Sequence, residues 1–209
     1  MLKEYEVCQG NLSMEKKDDL AWEEVSTEHI IKDEWIDFRK QAFRFPDGKI
    51  FEPYYTYSRK NYVVIVAFDE DGKILLVKQF RQGLMKVTIE FPAGGIERKD
   101  GKEYGGEDGN SSEEALQAAK RELLEETGYE SDEWKHLFTV PSNATMADNY
   151  AHIFVAKNCR KVAGQSLDEM EFLNVEKVSA DELEDLIAKG EFPQAVHIMA
   201  WLMAVRDSQ

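Results

Sequence analysis

The chain is poor in the side chains and motifs on which many enzyme classes depend. Of its 209 residues only two are cysteines, Cys8 and Cys159. Two thiols cannot build a disulfide framework and form no Cys-x-x-Cys motif here, so we expect a reducing, cytoplasmic setting. No Gly-x-Ser-x-Gly, His-Glu-x-x-His or Walker motif occurs, which argues against the enzymes that use them. The four histidines lack metal-ligand spacing, and we expect structural roles for His29, His136, His152 and His197.

Long apolar runs and positive charge are also scarce. No apolar stretch reaches about 18 residues, the length that spans a bilayer, and no signal peptide is recognisable, so we expect no membrane contact. The chain has 41 Asp and Glu against 26 Lys and Arg, a net charge of −15. This surplus argues against nucleic acids and anionic membranes as partners. An anionic phosphate substrate would need metal ions or local arginines to screen the charge.

Three glutamates are concentrated in the stretch Arg121–Gly128, whose sequence is RELLEETG. On a helix, Glu122, Glu125 and Glu126 stand at positions i, i+3 and i+4, within an arc of roughly 100°. An apolar stripe lies beside this arc and comprises Leu116, Ala119 and Leu123. Clustered carboxylates repel one another, so the pattern favours a bound hard cation such as Mg²⁺ or Mn²⁺. The alternative is an acidic, solvated helix face.

The limits of this helix are marked by local signals. Ser111 followed by Glu114 matches a capping box at the start. Gly128 can take the left-handed conformation that ends a helix. The stretch Phe91–Glu97, with sequence FPAGGIE, lies upstream.

The helix and this upstream stretch together resemble the signature of Nudix hydrolases, Gly-x5-Glu-x7-Arg-Glu-U-x-Glu-Glu-x-Gly-U, where U is apolar or aromatic. The matching residues are Gly94, Glu113, Arg121, Glu122, Leu123, Glu125, Glu126, Gly128 and Tyr129. One departure is that eighteen residues, instead of five, separate Gly94 from Glu113. The additional residues, within about 98–112, are charged and glycine-rich and predict an inserted surface loop.

The resemblance implies a set of site residues. The implied metal ligands are Glu122, Glu125, Glu126, Glu171 and the backbone carbonyl of Ala93. The implied catalytic residues are Arg121, Glu122, Glu125 and Glu171. Arg121 would orient Glu125, and either Glu171 or one of the helix glutamates would act as general base. The implied substrate-binding residues are Arg59, Arg81 and Glu90, although a strand-end arginine such as Arg81 is often only a surface ion-pair partner.

The prediction that Glu171 belongs to the site depends on the stretch 168–175. Alternation predicts an extended segment with Glu169 and Glu171 on one face. Acidic residues at this place in ADP-ribose pyrophosphatases bind metal or position water, and Glu171 is the better match, with Glu169 second. The alternative is a solvated acidic loop.

The order of elements predicts an α/β protein, and the resemblance implies a Nudix α/β/α sandwich around a mixed sheet. Residues 1–22 give no clear period and predict a frayed arm or edge strand, and 23–56 are β-like. Residues 62–68 form an apolar run typical of a central strand buried on both faces. Residues 193–205 predict a closing helix whose core side chains are Ile198, Trp201, Leu202 and Val205.

Two domains follow from this division. Residues 1–58 form an N-terminal β-rich extension, which in the resembling group joins two subunits of a homodimer; an extension on a monomer is the alternative. Residues 59–209 form the catalytic domain. The implied activity is metal-dependent cleavage of a nucleoside diphosphate-sugar, foremost ADP-ribose, to AMP and ribose 5-phosphate. The alternatives are nucleoside triphosphates, dinucleoside polyphosphates, GDP-mannose or coenzyme A as substrate, or a sensor that binds ADP-ribose without cleaving it.

Overall fold

A computed structural model describes residues 19–97 and 112–207. Residues 1–18 of the arm predicted over 1–22, most of the inserted loop and the capping residue Ser111 lie outside the described residues. The elements are β1 (Glu23–Lys32), β2 (Asp37–Arg44), β3 (Ile50–Ser58), β4 (Tyr62–Asp69), β5 (Ile74–Arg81), β6 (Lys86–Glu90), β7 (Ala93–Gly95), α1 (Ser112–Thr127), β8 (Tyr129–Glu130), β9 (Glu133–Pro141), β10 (Tyr150–Lys161), β11 (Leu173–Val178), α2 (Ala180–Ala188) and α3 (Ala195–Asp207).

The N-terminal strands form a sheet of their own. Strands β1, β2 and β3 pair antiparallel in that order, which confirms the β-rich character predicted for this region. The sheet contacts the rest of the chain through the loop between β9 and β10. The backbone N–H of Tyr57 donates to the carbonyl of Met146 at 2.7 Å, and Arg39 pairs with Asp148 at 3.2 Å. The boundary between domains at residue 58 stays a prediction.

A mixed sheet forms the centre of the second unit. Its path runs β11–β5–β4–β10–β8, with β6 paired to β5, β7 to β4 and β9 to β10. Strands β4 and β10 are parallel, whereas the other pairs are antiparallel. Residues 63–67 of β4 are completely buried, as the continuous apolar run predicts.

Helices cover both faces of this sheet. On one face α1 packs its buried Ala115, Ala119 and Leu123 against Val63 and Ile65 of β4. On the other face, Leu183 of α2 and Ala200, Trp201 and Ala204 of α3 join a core with Val64 and Val66. The α/β/α sandwich around a mixed sheet is therefore confirmed. Within the described residues, no helix combines the length and apolarity needed to cross a membrane.

The predicted core face of α3 is partly wrong. Trp201 is buried, but Leu202 is 61% exposed. The face that packs on the sheet is made by His197, Ala200, Trp201 and Ala204, at spacings i, i+3, i+4 and i+7. Small alanines let the helix approach the sheet, and His197 is accommodated because its Nδ1 accepts a hydrogen bond from the Phe91 N–H at 3.1 Å. Burial lowers the pKa of His197 to about 3, so the ring is neutral.

Candidate active site

The C-terminal end of α1 is fixed by a glycine. Gly128 has φ of +73°, and its N–H donates to the carbonyl of Leu124 at 2.7 Å. A Cβ at this position would overlap the carbonyl oxygen of Ala163. Gly128 therefore ends the helix as predicted, and it also allows the chain after β10 to pass close by.

Two of the three helix glutamates are buried against the backbone of β7. Glu122 is 7% exposed and Glu126 is 3% exposed. The Ala93 N–H donates to Oε2 of Glu126 at 3.0 Å. Gly94 lies so close to the Glu122 carboxyl group that an added Cβ would overlap it. The FPAGG stretch thus covers the acidic side of the helix, which explains a glycine at position 94.

Arg121 connects the remaining carboxylate to this pair. Its Nη1 donates to Oε2 of Glu125 at 2.7 Å, the i to i+4 contact that the sequence predicts. Its Nη2 donates to Oε1 of Glu122 at 2.7 Å and to the carbonyl oxygen of Gly95 at 3.0 Å. One guanidinium group therefore holds two carboxylates and the edge of β7 in place.

Burial makes the negative charge of this cluster costly. Desolvation raises the pKa of Glu122 to about 7, although Arg121 opposes the shift. Burial likewise raises the pKa of Glu126 well above its usual value, against the opposing hydrogen bond from Ala93. The charges of Glu122 and Glu171 add to the shift at Glu126. A cation placed among these groups would remove the repulsion and allow both carboxylates to ionise.

The predicted extended segment around Glu171 is wrong. The N–H of Glu171 donates to the carbonyl of Asp168 at 2.9 Å, and its Oε2 accepts from the Asp168 N–H at 3.2 Å. These bonds close a turn that contains Glu169, and regular pairing with β5 begins only at Leu173. Alternation fails here because no neighbouring strand holds residues 168–172. The turn nevertheless places the Glu171 charge close enough to act on both Glu122 and Glu126.

The donor atoms of this region suit a hard divalent cation in their chemistry. They are carboxylate oxygens and backbone carbonyls, the ligands that Mg²⁺ and Mn²⁺ take in proteins. In residues 19–97 and 112–207, however, no three acidic, histidine or cysteine side chains already converge in a metal-binding arrangement. Arg121 supplies the positive charge that Glu122 and Glu125 contact here. The site fits a metal by composition, and its carboxylates would have to turn towards the ion.

The predicted substrate-binding residues are brought together only in part. Nε of Arg81 donates to Oε1 of Glu90 at 2.7 Å, and the amide of Gln194 donates to the other oxygen of Glu90. Glu90 is completely buried, so it orients Arg81 instead of facing solvent. The terminal nitrogens of Arg81 have no partner within the described parts of the chain. Arg59 is exposed between β3 and β4. Burial raises the pKa of Tyr62, and the charges of Arg59 and Arg81 both oppose that rise.

Two glutamines next to the site carry no signal in the sequence. Gln194 contacts Glu90, and Gln165 donates to the carbonyl of Glu126 at 2.7 Å. Both act through side-chain amides from loops or a helix start, and neither belongs to a periodic pattern or a motif. Only the three-dimensional structure identifies them.

The buried state of Glu126 predicts a pH-dependent stability in metal-free solution. Burial raises the pKa of Glu126 in the folded state above its ordinary value of 4.5. The contribution of Glu126 to the free energy of unfolding is therefore fully present below pH 4.5 and is lost as the pH rises through the folded-state pKa. Glu126→Gln keeps an acceptor for the Ala93 N–H and removes the charge. We expect it to melt several degrees above the wild type at pH 8 with EDTA, and the gain to shrink by pH 5.

The matched control is Glu184→Gln, which changes an exposed glutamate of α2. Differential scanning calorimetry at both pH values measures the two variants. An equal melting temperature of wild type and Glu126→Gln at pH 8 would contradict the description of a costly buried charge.

Comparison with known proteins agrees with this geometry. A NUDIX domain model matches residues 58–202. The ADP-ribose pyrophosphatase of Bacillus subtilis (strain 168) is 29% identical over 168 residues, 80% of this chain and 83% of that protein. The methanol dehydrogenase activator of Bacillus methanolicus is 30% identical over 159 residues, 76% of this chain and 78% of that protein.

A solved structure shares the fold. It is described as the crystal structure of ADP compounds hydrolase and superposes with a TM-score of 0.73 at 20% identity, over 91% of this chain and 96% of its own. At that identity the likeness concerns the fold alone. Because the domain match covers most of the chain and includes α1 with its glutamates, the protein belongs to the Nudix family and is a Nudix hydrolase.

Proposed function

We propose that the protein is a metal-dependent pyrophosphohydrolase of nucleoside diphosphate-sugars, with ADP-ribose as its foremost substrate. Water would add to one phosphorus while the bridging P–O bond breaks, which yields AMP and ribose 5-phosphate. The observation that carries the proposal is the pair of buried carboxylates, Glu122 and Glu126, under the backbone of Ala93–Gly95. Such a buried acidic pair has little structural value unless a cation accompanies it.

The metal ligands in this proposal come from three places in the chain. They are Glu122, Glu125 and Glu126 of α1, Glu171 of the turn before β11, and the carbonyl of Ala93 in β7. A bound Mg²⁺ or Mn²⁺ would neutralise the diphosphate and acidify a bound water. The raised pKa values of Glu122 and Glu126 support this assignment, because burial disfavours both charges and the ion pair with Arg121 offsets that cost only in part at Glu122.

Arg121 and Glu171 would complete the chemistry. Arg121 holds Glu122 and Glu125 by hydrogen bonds of 2.7 Å, and it would therefore limit how far the two carboxylates reorganise as they turn towards the ion. We assign Glu171 as general base, because the residue is half-buried and, among the residues that the structure describes, its carboxylate accepts one hydrogen bond, from the Asp168 N–H. Such a base contributes about 10²–10⁴-fold to the rate.

Arg81 is the leading candidate for contact with the substrate phosphates. Nε of Arg81 donates to Glu90 at 2.7 Å. The two terminal guanidinium nitrogens therefore stay available for bidentate hydrogen bonds to phosphate oxygens. Arg59 offers a second, exposed cation at the junction of the two units. Local arginines of this kind are required because the chain as a whole carries a net charge of −15.

The names of the relatives support the substrate class. The Bacillus subtilis relative is an ADP-ribose pyrophosphatase, and it aligns over most of both chains. The Bacillus methanolicus relative is named for activation of another enzyme, so relatedness by itself does not determine the substrate. A substrate panel is therefore the direct test.

We expect hydrolysis of ADP-ribose in the presence of Mg²⁺ or Mn²⁺ and at least a 100-fold loss of kcat in Glu126→Gln, because a metal carboxylate is removed. Phosphatase-coupled phosphate release would compare ADP-ribose, ADP-glucose, GDP-mannose, a dinucleoside polyphosphate, coenzyme A and dGTP. Glu184→Gln serves as control. Turnover confined to another compound would overturn the substrate assignment, and tight binding of ADP-ribose without any turnover would favour the sensor.

Gly94→Ala tests whether the approach of β7 to Glu122 matters for catalysis. Its Cβ would displace the Glu122 carboxyl group, the flexible end of a side chain, so we expect kcat to fall about 10- to 100-fold with little change in melting temperature. Gly95→Ala is the matched control, since its nearest neighbour would be Lys60 Cδ at 3.9 Å. Equal activity of the two variants would contradict the proposed role of this contact.

We also propose that the chain forms a homodimer through the N-terminal sheet. A three-stranded sheet is too small to bury a core alone, and this one exposes many large apolar side chains. These side chains are Val25, Ile30, Ile31, Ile50, Phe51 and Tyr55.

Sedimentation velocity at micromolar concentration should therefore show a particle of two 24.1-kDa chains. Ile31→Asp, which places a charge on the sheet, should shift the particle towards the monomer. Leu202→Asp makes the same kind of change at an exposed position of α3 and should leave the dimer intact. A monomeric wild type, or dissociation by Leu202→Asp alone, would reject this interface.

A further inference from the structure

The last turn of α1 is held by residues 161–166, which are the last residue of β10 and the segment that follows it. Three consecutive carbonyl oxygens of the helix accept hydrogen bonds from it: Glu125 from the Ser166 N–H at 2.9 Å, Glu126 from Nε2 of Gln165 at 2.7 Å, and Thr127 from Nζ of Lys161 at 2.8 Å. Helix carbonyls at a C-terminus lack partners within the helix. Here residues 161–166 provide them.

Gln165 differs from the other two donors because it reaches a second element. Its Nε2 also lies 3.4 Å from the carbonyl oxygen of Leu173, the first residue of β11. Leu173 is buried and pairs with Gln79 of β5, so it belongs to the central sheet. One side-chain amide thus joins the helix end to the sheet, and the chain between Gln165 and its contact Leu173 contains Glu171.

The segment between Gln165 and Leu173 has few other contacts with the rest of the protein. Glu171 itself bonds to Asp168 within the same turn, and the neighbouring Met170 and Phe172 are 87% and 93% exposed. A turn that bonds mainly to itself takes its position from its ends. At one end Ser166 and Gln165 meet α1, and at the other Leu173 enters the sheet.

We propose that Gln165 is a positioning residue that fixes the turn carrying Glu171 relative to the glutamates of α1. The amide nitrogen of Gln165 carries two protons, so it can donate to two carbonyl oxygens at once, that of Glu126 in α1 and that of Leu173 at the start of β11. The inference rests on the proposed function, because it assigns Gln165 an effect on catalysis through Glu171. A displacement of about 1 Å at a reacting group can cost about 100-fold in rate.

Gln165→Ala removes both donors from a largely exposed side chain, so the fold should persist. Ser166→Ala is the matched control, because it keeps the backbone N–H that bonds to Glu125. With ADP-ribose and Mg²⁺, we expect Gln165→Ala to lower kcat at least about 10-fold and to change KM less than about threefold. In a Glu171→Gln background the same substitution should cost less than about twofold, because Gln165 acts through Glu171.

Hydrogen exchange of the full-length protein provides a readout independent of turnover. Gln165→Ala should speed exchange of the amides of Ser166 and Glu171, whereas Ser166→Ala should not. Unchanged exchange, or a loss of kcat that is as large in the Glu171→Gln background, would overturn the inference. If the wild type cleaves nothing in the panel, the proposed function fails, and exchange still decides whether Gln165 holds the turn.

Discussion

The site depends on the burial of two carboxylates between a helix and a short strand. Glu122 and Glu126 stand one turn apart on α1. The buried side chains of Ala115, Ala119 and Leu123 pack that side of the helix against β4. Because β7 pairs with β4, its backbone lies over both carboxyl groups. The packing that stabilises the helix therefore also desolvates its acidic residues, and the free energy of this desolvation favours binding of a cation.

Arg121 reduces the free-energy cost of burying the charge of Glu122. Its guanidinium contacts two carboxylates and the Gly95 carbonyl, and its own pKa is raised because the two carboxylates outweigh the effect of burial. The arginine can keep these groups ordered while the chain is free of metal. A similar arrangement occurs where the buried Glu90 orients Arg81. In both places a charged side chain is ordered by a neighbour of opposite charge.

Periodicity and short motifs were sufficient to predict much of the fold. The apolar run 62–68 and the stripe on α1 are local signals. Residues 63–67 are completely buried, and Ala119 and Leu123 of the stripe are buried with Leu116 partly buried beside them. The same reasoning predicted the contact between Arg121 and Glu125, which depends only on helical spacing.

Predictions failed where the outcome depends on distant parts of the chain. Leu202 is hydrophobic but is mostly exposed, since the approach of α3 to the sheet is set by small residues and by the hydrogen bond that the Phe91 N–H donates to His197. The turn at Glu171 replaces an extended segment because β5 has no partner there until Leu173. Gln165 and Gln194 connect remote segments through their side-chain amides, and their sequence context does not distinguish them from surface glutamines.

The parallel pairing of β4 with β10 has a consequence for synthesis of the protein. Tyr62 of β4 pairs with Ala151 of β10. Strand β4, on which α1 packs, therefore lacks its parallel neighbour β10 until most of the chain has left the ribosome. The loop that anchors the N-terminal sheet, at Met146 and Asp148, emerges equally late. Contacts of such long sequence separation form slowly. The helix that carries the glutamates is therefore synthesised before β10, and the core beneath it, which includes Phe154 and Ala156 of β10, is completed only when β10 joins β4.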